Sequence, residues 1–274
     1  MVAPAASAGE LAFSADVSPA WHVARGPHGG YLAAILLRAL TEAAEEQTRQ
    51  ARSLTIHFVS VAQAGPVRVR TALERRGRSL SSLSARMEQD GKLIALALAA
   101  FSIPWQAPEA AELPMPAVAA PDRERGTPKE LTERIEQGLA PTFLRHLVVQ
   151  PRIGALPFSG SELPMEVALW LGLPDPRRPL DAIALAMFSD VGCPPAFMRL
   201  HEPASASTID LTVHFRSRVP AAERRDPAEL CLARLATRVI HEGFFELDGV
   251  IWAADGTVLA HSRQLAILMP VAGG

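Results

Sequence analysis

Cysteine is scarce in this sequence. Cys193 and Cys231 are the only two in 274 residues, too few to staple a chain of this length and too far apart for a metal knuckle or a redox pair. Two reduced thiols and a cytoplasmic location are the expectation. Also missing is any excess of charge of one sign, since 27 Lys and Arg face 29 Asp and Glu, the formal charge is −2, and the basic residues are scattered. A nucleic-acid partner needs a basic stripe, so none is expected. No apolar run approaches the roughly 20 residues of a membrane span, and the opening MVAPAASAGE lacks the basic start and apolar core of a signal peptide. No membrane association is expected. The chain contains no GxSxG elbow, no P-loop, no zinc spacing and no GxGxxG followed by a βαβ pattern, so neither a metal nor a dinucleotide or other cofactor is implied.

What is present is apolar material, 49% of the residues, enough for a large core. It is concentrated first in RGPHGGYLAAILLRAL, Arg25 to Leu40, where Arg38 is the only charge after the two glycines. A helix apolar nearly all round has to be enclosed. The enclosing material follows: Leu54, Ile56 and Phe58 alternate with Thr55 and His57, and Val67 and Val69 with Arg68 and Arg70, the period of strands with one buried face. Two more strands turn at Asp90-Gly91, a hairpin dipeptide. From Ile103 to Lys129, Pro104, Pro108, Pro114, Pro116, Pro121 and Pro128 interrupt any regular element, and the stretch reads as a linker. TPKELTERIEQGL then predicts a short helix with Thr127 as N-cap and Pro128 in the first turn. A second set of strands is expected from about Thr142.

The chain also repeats itself. LTIHF at Leu54–Phe58 returns as LTVHF at Leu211–Phe215, 157 residues later, and DGKLIALA at Asp90 returns as DGTVLAHS at Asp255, 165 later. Order and spacing both survive, with eight extra residues in the second copy that we place within AAERRDPAE. Duplication follows, and with it a division into a first half at 1–103, a linker with a short helix at 104–139, and a second half at 140–274.

A long buried helix wrapped by an antiparallel sheet, twice in one chain, resembles the α+β double hotdog fold. GPHGGYLAAILLRA, RGRSLSSLSARMEQDGKLIALALAAF, STIDLTVHFR and DGTVLAHSRQLAIL, in this order, resemble the acyl-CoA thioesterase II family and its TesB-like relatives. The resemblance implies hydrolysis of an acyl thioester, with acyl-CoA or an acyl carrier as the partner that brings the substrate. It also implies an Asp, a Thr and a Gln that hold the attacking water: here Asp190 in LAMFSDVGCP, Thr208 in ASTIDLTVHF and Gln264 in AHSRQLAIL. Where relatives often carry His after that Asp, this chain has Val191. The position equivalent to Gln264 in the first copy is Ala99, so one site per chain is expected.

The residue types suit the chemistry. A thioester has a good leaving group, its thiol pKa lying near 8.5 by analogy with cysteine, so what is needed is an oriented water and an oxyanion site. Gly29, Gly30 and Gly192, each read as beside the start of a central helix, are the expected sites where backbone approaches substrate and N–H groups receive an oxyanion, with His28 beside them. Asp210, two residues beyond Thr208, is a rival carboxylate. Arg78, with Arg75 and Arg76, is a candidate for a CoA phosphate. Two other readings stay open: a hotdog enoyl-CoA hydratase or dehydratase using His28, and a non-catalytic acyl or acyl-CoA binding module. Exposed sheet edges lead us to expect a homodimer.

Overall fold

The computed structural model describes residues 10–45, 48–122, 126–175, 178, 180–217 and 229–270. Residues 221–228, most of the segment assigned the extra length of the second copy, lie outside them. The first half runs β1 (Glu10–Val17), a 3₁₀ turn (Pro19–Trp21), a small hairpin of β2 (His22–Val23) and β3 (Gly26–Pro27), then α1 (Gly29–Ala44). It continues with β4 (Gln50–Phe58), β5 (Gly65–Arg76), β6 (Leu80–Gln89) and β7 (Lys92–Ser102). After the proline-rich stretch come α2 (Lys129–Glu136), a 3₁₀ turn (Thr142–His146), β8 (Val148–Ile153), β9 (Glu166–Gly172) and α3 (Ala182–Phe188). A 3₁₀ turn (Pro195–Arg199), β10 (Ala204–Phe215), β11 (Cys231–Ala236), β12 (Ile240–His241), β13 (Phe244–Trp252) and β14 (Val258–Pro270) complete the second half.

One antiparallel sheet, in the order β1-β5-β6-β7-β4-β10-β14-β13-β11-β9-β8, carries both halves. Its middle is the repeat seen in the sequence. Leu54 lies opposite Val213, Ile56 opposite Leu211, and Thr55 opposite Thr212, with the two threonine hydroxyls 3.1 Å apart. Thr55 and Thr212 are themselves 157 residues apart, so the duplicated strands meet on a pseudo-two-fold axis through this pair. Antiparallel pairing of the copies, from Asp210 to His214 on β10, joins the two halves into one sheet. The same offset relates two irregularities: the β4–β7 register shifts between Ala51 and Ser53, and the β10–β14 register between Thr208 and Asp210. The bulge was duplicated with the strand. The β6–β7 turn at Asp90-Gly91 has positive φ at both residues, 49° and 76°, the backbone that a two-residue hairpin of matching twist requires.

Each half wraps its sheet around a helix. In α1, Leu32, Ala33, Leu36, Leu37, Leu40, Ala43 and Ala44 are buried, whereas Arg38 and Glu42 form an exposed i,i+4 pair at 2.8 Å. Enclosure is therefore three-sided rather than complete, and the charges sit on the open stripe. The helix of the second half, α3, has only seven residues, with Asp181 as N-cap accepting from Ala184 N–H at 2.8 Å, and Ala184 to Phe188 are all buried. It ends before Asp190. Gly192, expected beside the start of this helix, lies beyond its C-terminal end instead.

The proline-rich stretch has a structural role in the second half. Two buried indoles donate into its backbone, Trp252 to Leu113 O at 3.2 Å and Trp170 to Ala119 O at 3.0 Å, while Gln150 bonds both the N–H and the C=O of Asp122. Met115 and Val118 pack on Trp170, Leu230 and Leu232. Residues 113–122 form a strap on the outer face of the second half's sheet, and its prolines, which cannot donate to a ladder, suit a segment held by side chains. Thr127 does not cap α2, whose N-cap is Pro128; its hydroxyl instead donates to Leu147 O and accepts from Val149 N–H. The segment at Thr142 is a 3₁₀ turn, and the strands start at Val148. The architecture is a double hotdog.

Candidate active site

The two halves meet where the N-terminus of α1 abuts the C-terminal end of α3. Gly29 and Gly30 make this possible. A Cβ on Gly30 would be forced against the Met187 carbonyl and would lie 2.8 Å from His28 Cε1 and 3.0 Å from Asp190 Cβ; one on Gly29 would lie 2.9 Å from Asp190 Oδ2. The absence of side chains at both positions is what admits the Asp190 turn. In the space so created Asp190 Oδ2 accepts the Gly30 N–H at 2.8 Å, a carboxylate on a helix N-terminus, where the backbone dipoles favour an anion. Its side chain is 15% exposed, and Oδ1 has no protein partner among the described residues.

His28 locks this junction. It is the N-cap of α1, Nδ1 accepting from Tyr31 N–H at 3.2 Å; Nε2 therefore carries the proton and donates to Asp190 O at 2.8 Å. The same Nε2 is 3.4 Å from Asp190 Oδ2. At 5% exposure and with both nitrogens engaged, the ring has no free nitrogen to accept a proton from substrate, nor a free N–H to offer an oxyanion. It is further fixed by stacking on Phe143 at 4.3 Å, and Trp21 stacks on both Tyr31 and Phe143. Phe143 carried no sequence signal, because its partners lie in the other half. Trp21, five residues before Gly26, also stacks on His146.

Thr208 and Gln264 come together from β10 and β14. The Thr208 hydroxyl donates to Gln264 Oε1 at 3.1 Å, and Gln264 Nε2 donates to Ser189 O at 3.2 Å. Gln264 is 1% exposed, so both ends of its amide are satisfied and its orientation is fixed. This chain of bonds ends at the residue preceding Asp190. Val191 is fully buried and offers the carboxylate no polar support; that support comes from the Gly30 N–H.

Three expected residues fall elsewhere. The bulge between Thr208 and Asp210 turns Asp210 away from Thr208, and Asp210 accepts the Leu265 N–H on the outer face, where it lines a cavity of about 580 Å³ with Arg238, Glu246 and Arg263. Gln264 lines the same cavity, and no hydrogen bond joins Asp210 to Asp190 among the described residues. Gly192, at φ 143°, packs against Leu235 and Leu169 and is at no helix N-terminus. Arg78 lies in the β5–β6 turn, two residues before Leu80, which pairs with Ser102 and so with the Gln50 end of β4. Phe58, by contrast, ends β4 against Gly29. Arg78 is thus at the far end of the sheet, a strand length of roughly 25 Å from the Asp190 turn. Cys193 is exposed; partial desolvation of its thiol pushes it up from its ordinary value, with the Arg134 charge opposing.

In the first copy, Ala51 and Ala99 occupy the positions equivalent to Thr208 and Gln264, so the bulge was kept there without the polar groups.

Residues 17–102 match the family model described as the acyl-CoA thioesterase N-terminal domain, and residues 114–268 match that of the acyl-CoA thioesterase C-terminal domain. An uncharacterized protein of Mycobacterium tuberculosis is 24% identical over 93% of this chain and 90% of its own length. Among solved structures, a hot dog fold protein of unknown function from Alicyclobacillus acidocaldarius superposes with a TM-score of 0.79 at 25% identity, over 95% of this chain and 94% of that one. The tesB protein of Mycobacterium avium subsp. paratuberculosis does so with 0.74 at 19% identity, over 94% and 93%.

Proposed function

Because the chain belongs to the acyl-CoA thioesterase family, whose two domain models together cover most of it, we propose that it hydrolyses an acyl-CoA thioester at the Asp190 turn. The observation that carries this reading is the Asp190 carboxylate, anchored through Oδ2 on the Gly30 N–H with Oδ1 left open. Oδ1 takes a proton from a water as the water oxygen bonds to the thioester carbonyl carbon, and the carbonyl oxygen becomes an oxyanion. General-base help of this kind supplies roughly 10²–10⁴-fold. The Thr208 and Gln264 pair, braced on Ser189 O, fixes where the water sits.

The oxyanion needs a donor that is not already used. Gly30 N–H is spent on Asp190, and the N–H groups of Tyr31 and Leu32 bond His28 O. Gly29 N–H, half-buried and without a protein acceptor among the described residues, is the donor left at the α1 N-terminus, and one such donor contributes about 10²–10³ in rate. Collapse of the tetrahedral intermediate breaks the C–S bond; the thiolate takes the proton held by Asp190, and the acid product is released. Hydration of an enoyl-CoA by His28 has less support, because neither nitrogen of that ring is free.

A panel of short, medium, long and aromatic acyl-CoAs, with an enoyl-CoA alongside, separates the readings. Thiol release from members of the panel, with the enoyl double bond left intact, is the expected result. Loss of the double bond without thiol release would make the protein a hydratase, and saturable binding with no reaction would make it a binding module.

A further inference from the structure

The strand that carries Thr208 is longer than its repeat. β10 has twelve residues and β4 nine; at the 157-residue offset Gln50 corresponds to Ser207, so Ala204 to Ala206 have no counterpart in β4. On one side β10 pairs with β14 along its whole length. On the other it pairs with β4 only from Asp210 to His214, since β4 ends at Phe58 and the next two N–H groups, of Val59 and Ser60, turn to Ile94 O on the β7 side. Residues 204–209 therefore present an open strand edge, half-buried, whose backbone groups have no protein partner on that side among the described residues. It runs from Thr208, in the proposed catalytic group, away to Ser205. At that outer end stands Arg25, from the β2–β3 turn, whose guanidinium reaches the Met269 sulfur at 2.8 Å and Ser205 Oγ at 3.5 Å. No carboxylate pairs with it among the described residues.

We propose that this open edge and Arg25 form the subsite for a 4′-phosphopantetheine arm. The inference rests on the thioesterase reading and names how that site takes its substrate. The arm carries two amides, each with one N–H and one C=O, and a strand edge receives such groups in the way it receives an added strand. Its far end is a phosphate, which an unpaired guanidinium meets with charge-assisted hydrogen bonds. The lengths agree in scale: Thr208 to Ser205 is three strand residues, about 10 Å. The arm from sulfur to phosphorus is about thirteen bonds, or roughly 15 Å extended, and the arginine side chain covers the difference. Phosphopantetheine is common to CoA and to acyl carrier proteins.

The test compares acyl-CoA, acyl-phosphopantetheine, acyl-pantetheine and acyl-N-acetylcysteamine on the wild-type protein and on Arg25→Ala. The wild type should show a KM about tenfold lower for the phosphorylated arms than for acyl-pantetheine, the scale of one charge-assisted hydrogen bond. Removing the second amide, in acyl-N-acetylcysteamine, should raise KM again. Arg25→Ala should abolish the preference for phosphate while kcat changes less than twofold, and the conservative Arg25→Lys should restore part of it. A preference unchanged in Arg25→Ala, or acyl-N-acetylcysteamine used as well as acyl-pantetheine, overturns the subsite and leaves the hydrolytic reading standing. Loss of preference for acyl-CoA alone would place the contact at the nucleotide and also overturn it. Calorimetric titration with phosphopantetheine reads the same contrast without turnover, so absence of hydrolysis does not remove the test. An acyl carrier protein substrate, run beside acyl-CoA, then tells which carrier is used.

Discussion

Gly30→Ala is the perturbation whose consequences can be worked furthest. The added methyl would be driven into the Met187 carbonyl and would also crowd His28 Cε1 at 2.8 Å and Asp190 Cβ at 3.0 Å. A backbone carbonyl has no rotamer to yield, so the ends of α1 and α3 must separate by roughly 1 Å to restore ordinary contact distances. Overpacking of this kind costs about 1–3 kcal/mol, and replacing glycine by alanine in a helix returns less than about 1 kcal/mol. A net loss of about 1–2 kcal/mol, at roughly 2–4 °C per kcal/mol for a chain near this size, lowers the thermal midpoint by about 2–8 °C. The larger effect falls on turnover. The same 1 Å stretches the bond from Gly30 N–H to Asp190 Oδ2, and a misplacement of that size costs about 10²-fold. Differential scanning calorimetry and thiol release on one preparation read both quantities. A variant with wild-type midpoint and wild-type turnover would refute the claim that these glycines exist to seat the Asp190 turn.

Gln150→Ala removes the side chain that bonds the Asp122 N–H and C=O; hydrogen exchange in residues 113–122 should accelerate while kcat stays within twofold, since the strap lies on the outer face. The His261 imidazole is held below its ordinary value of 6.5 by desolvation first and by the charges of Arg216 and His214. The unfolded chain then binds the proton more readily than the folded one, so this contribution to stability is present above pH 6.5 and is lost as pH falls from there toward the lowered value. The thermal midpoint of His261→Gln should accordingly fall less between pH 7 and 5.5 than that of the wild type.

The sequence was most legible where local pattern and structure share a cause. The alternation in LTIHF, its return 157 residues later and the Asp90-Gly91 turn each follow from backbone geometry that a few residues specify. The pairing of the two copies about Thr55 and Thr212 followed from duplication without being visible in either copy. What stayed hidden depended on distant partners. The strap is alanine and proline, a composition that reads as a spacer, and only Trp170, Trp252 and Gln150 give it a place. Asp210 looked equivalent to a site residue because strand alternation was counted through a bulge, and an extra residue leaves no mark in composition. Gly29 and Gly30 were singled out as places where backbone meets substrate; the side chain packed against both is that of Asp190, 160 residues along the chain from Gly30. Arg78 was singled out by its neighbours in sequence, and the register of β4 to β7 carried it to the wrong end of the sheet.

Asp190 is the proposed base. The most direct measurement is the rate of thiol release from an acyl-CoA by Asp190→Asn, a change that keeps an acceptor for the Gly30 N–H, compared with the wild type on protein of equal thermal midpoint. With Asp190 as the base, kcat falls by about 10²-fold or more. A fall of less than tenfold in a folded variant would contradict that role.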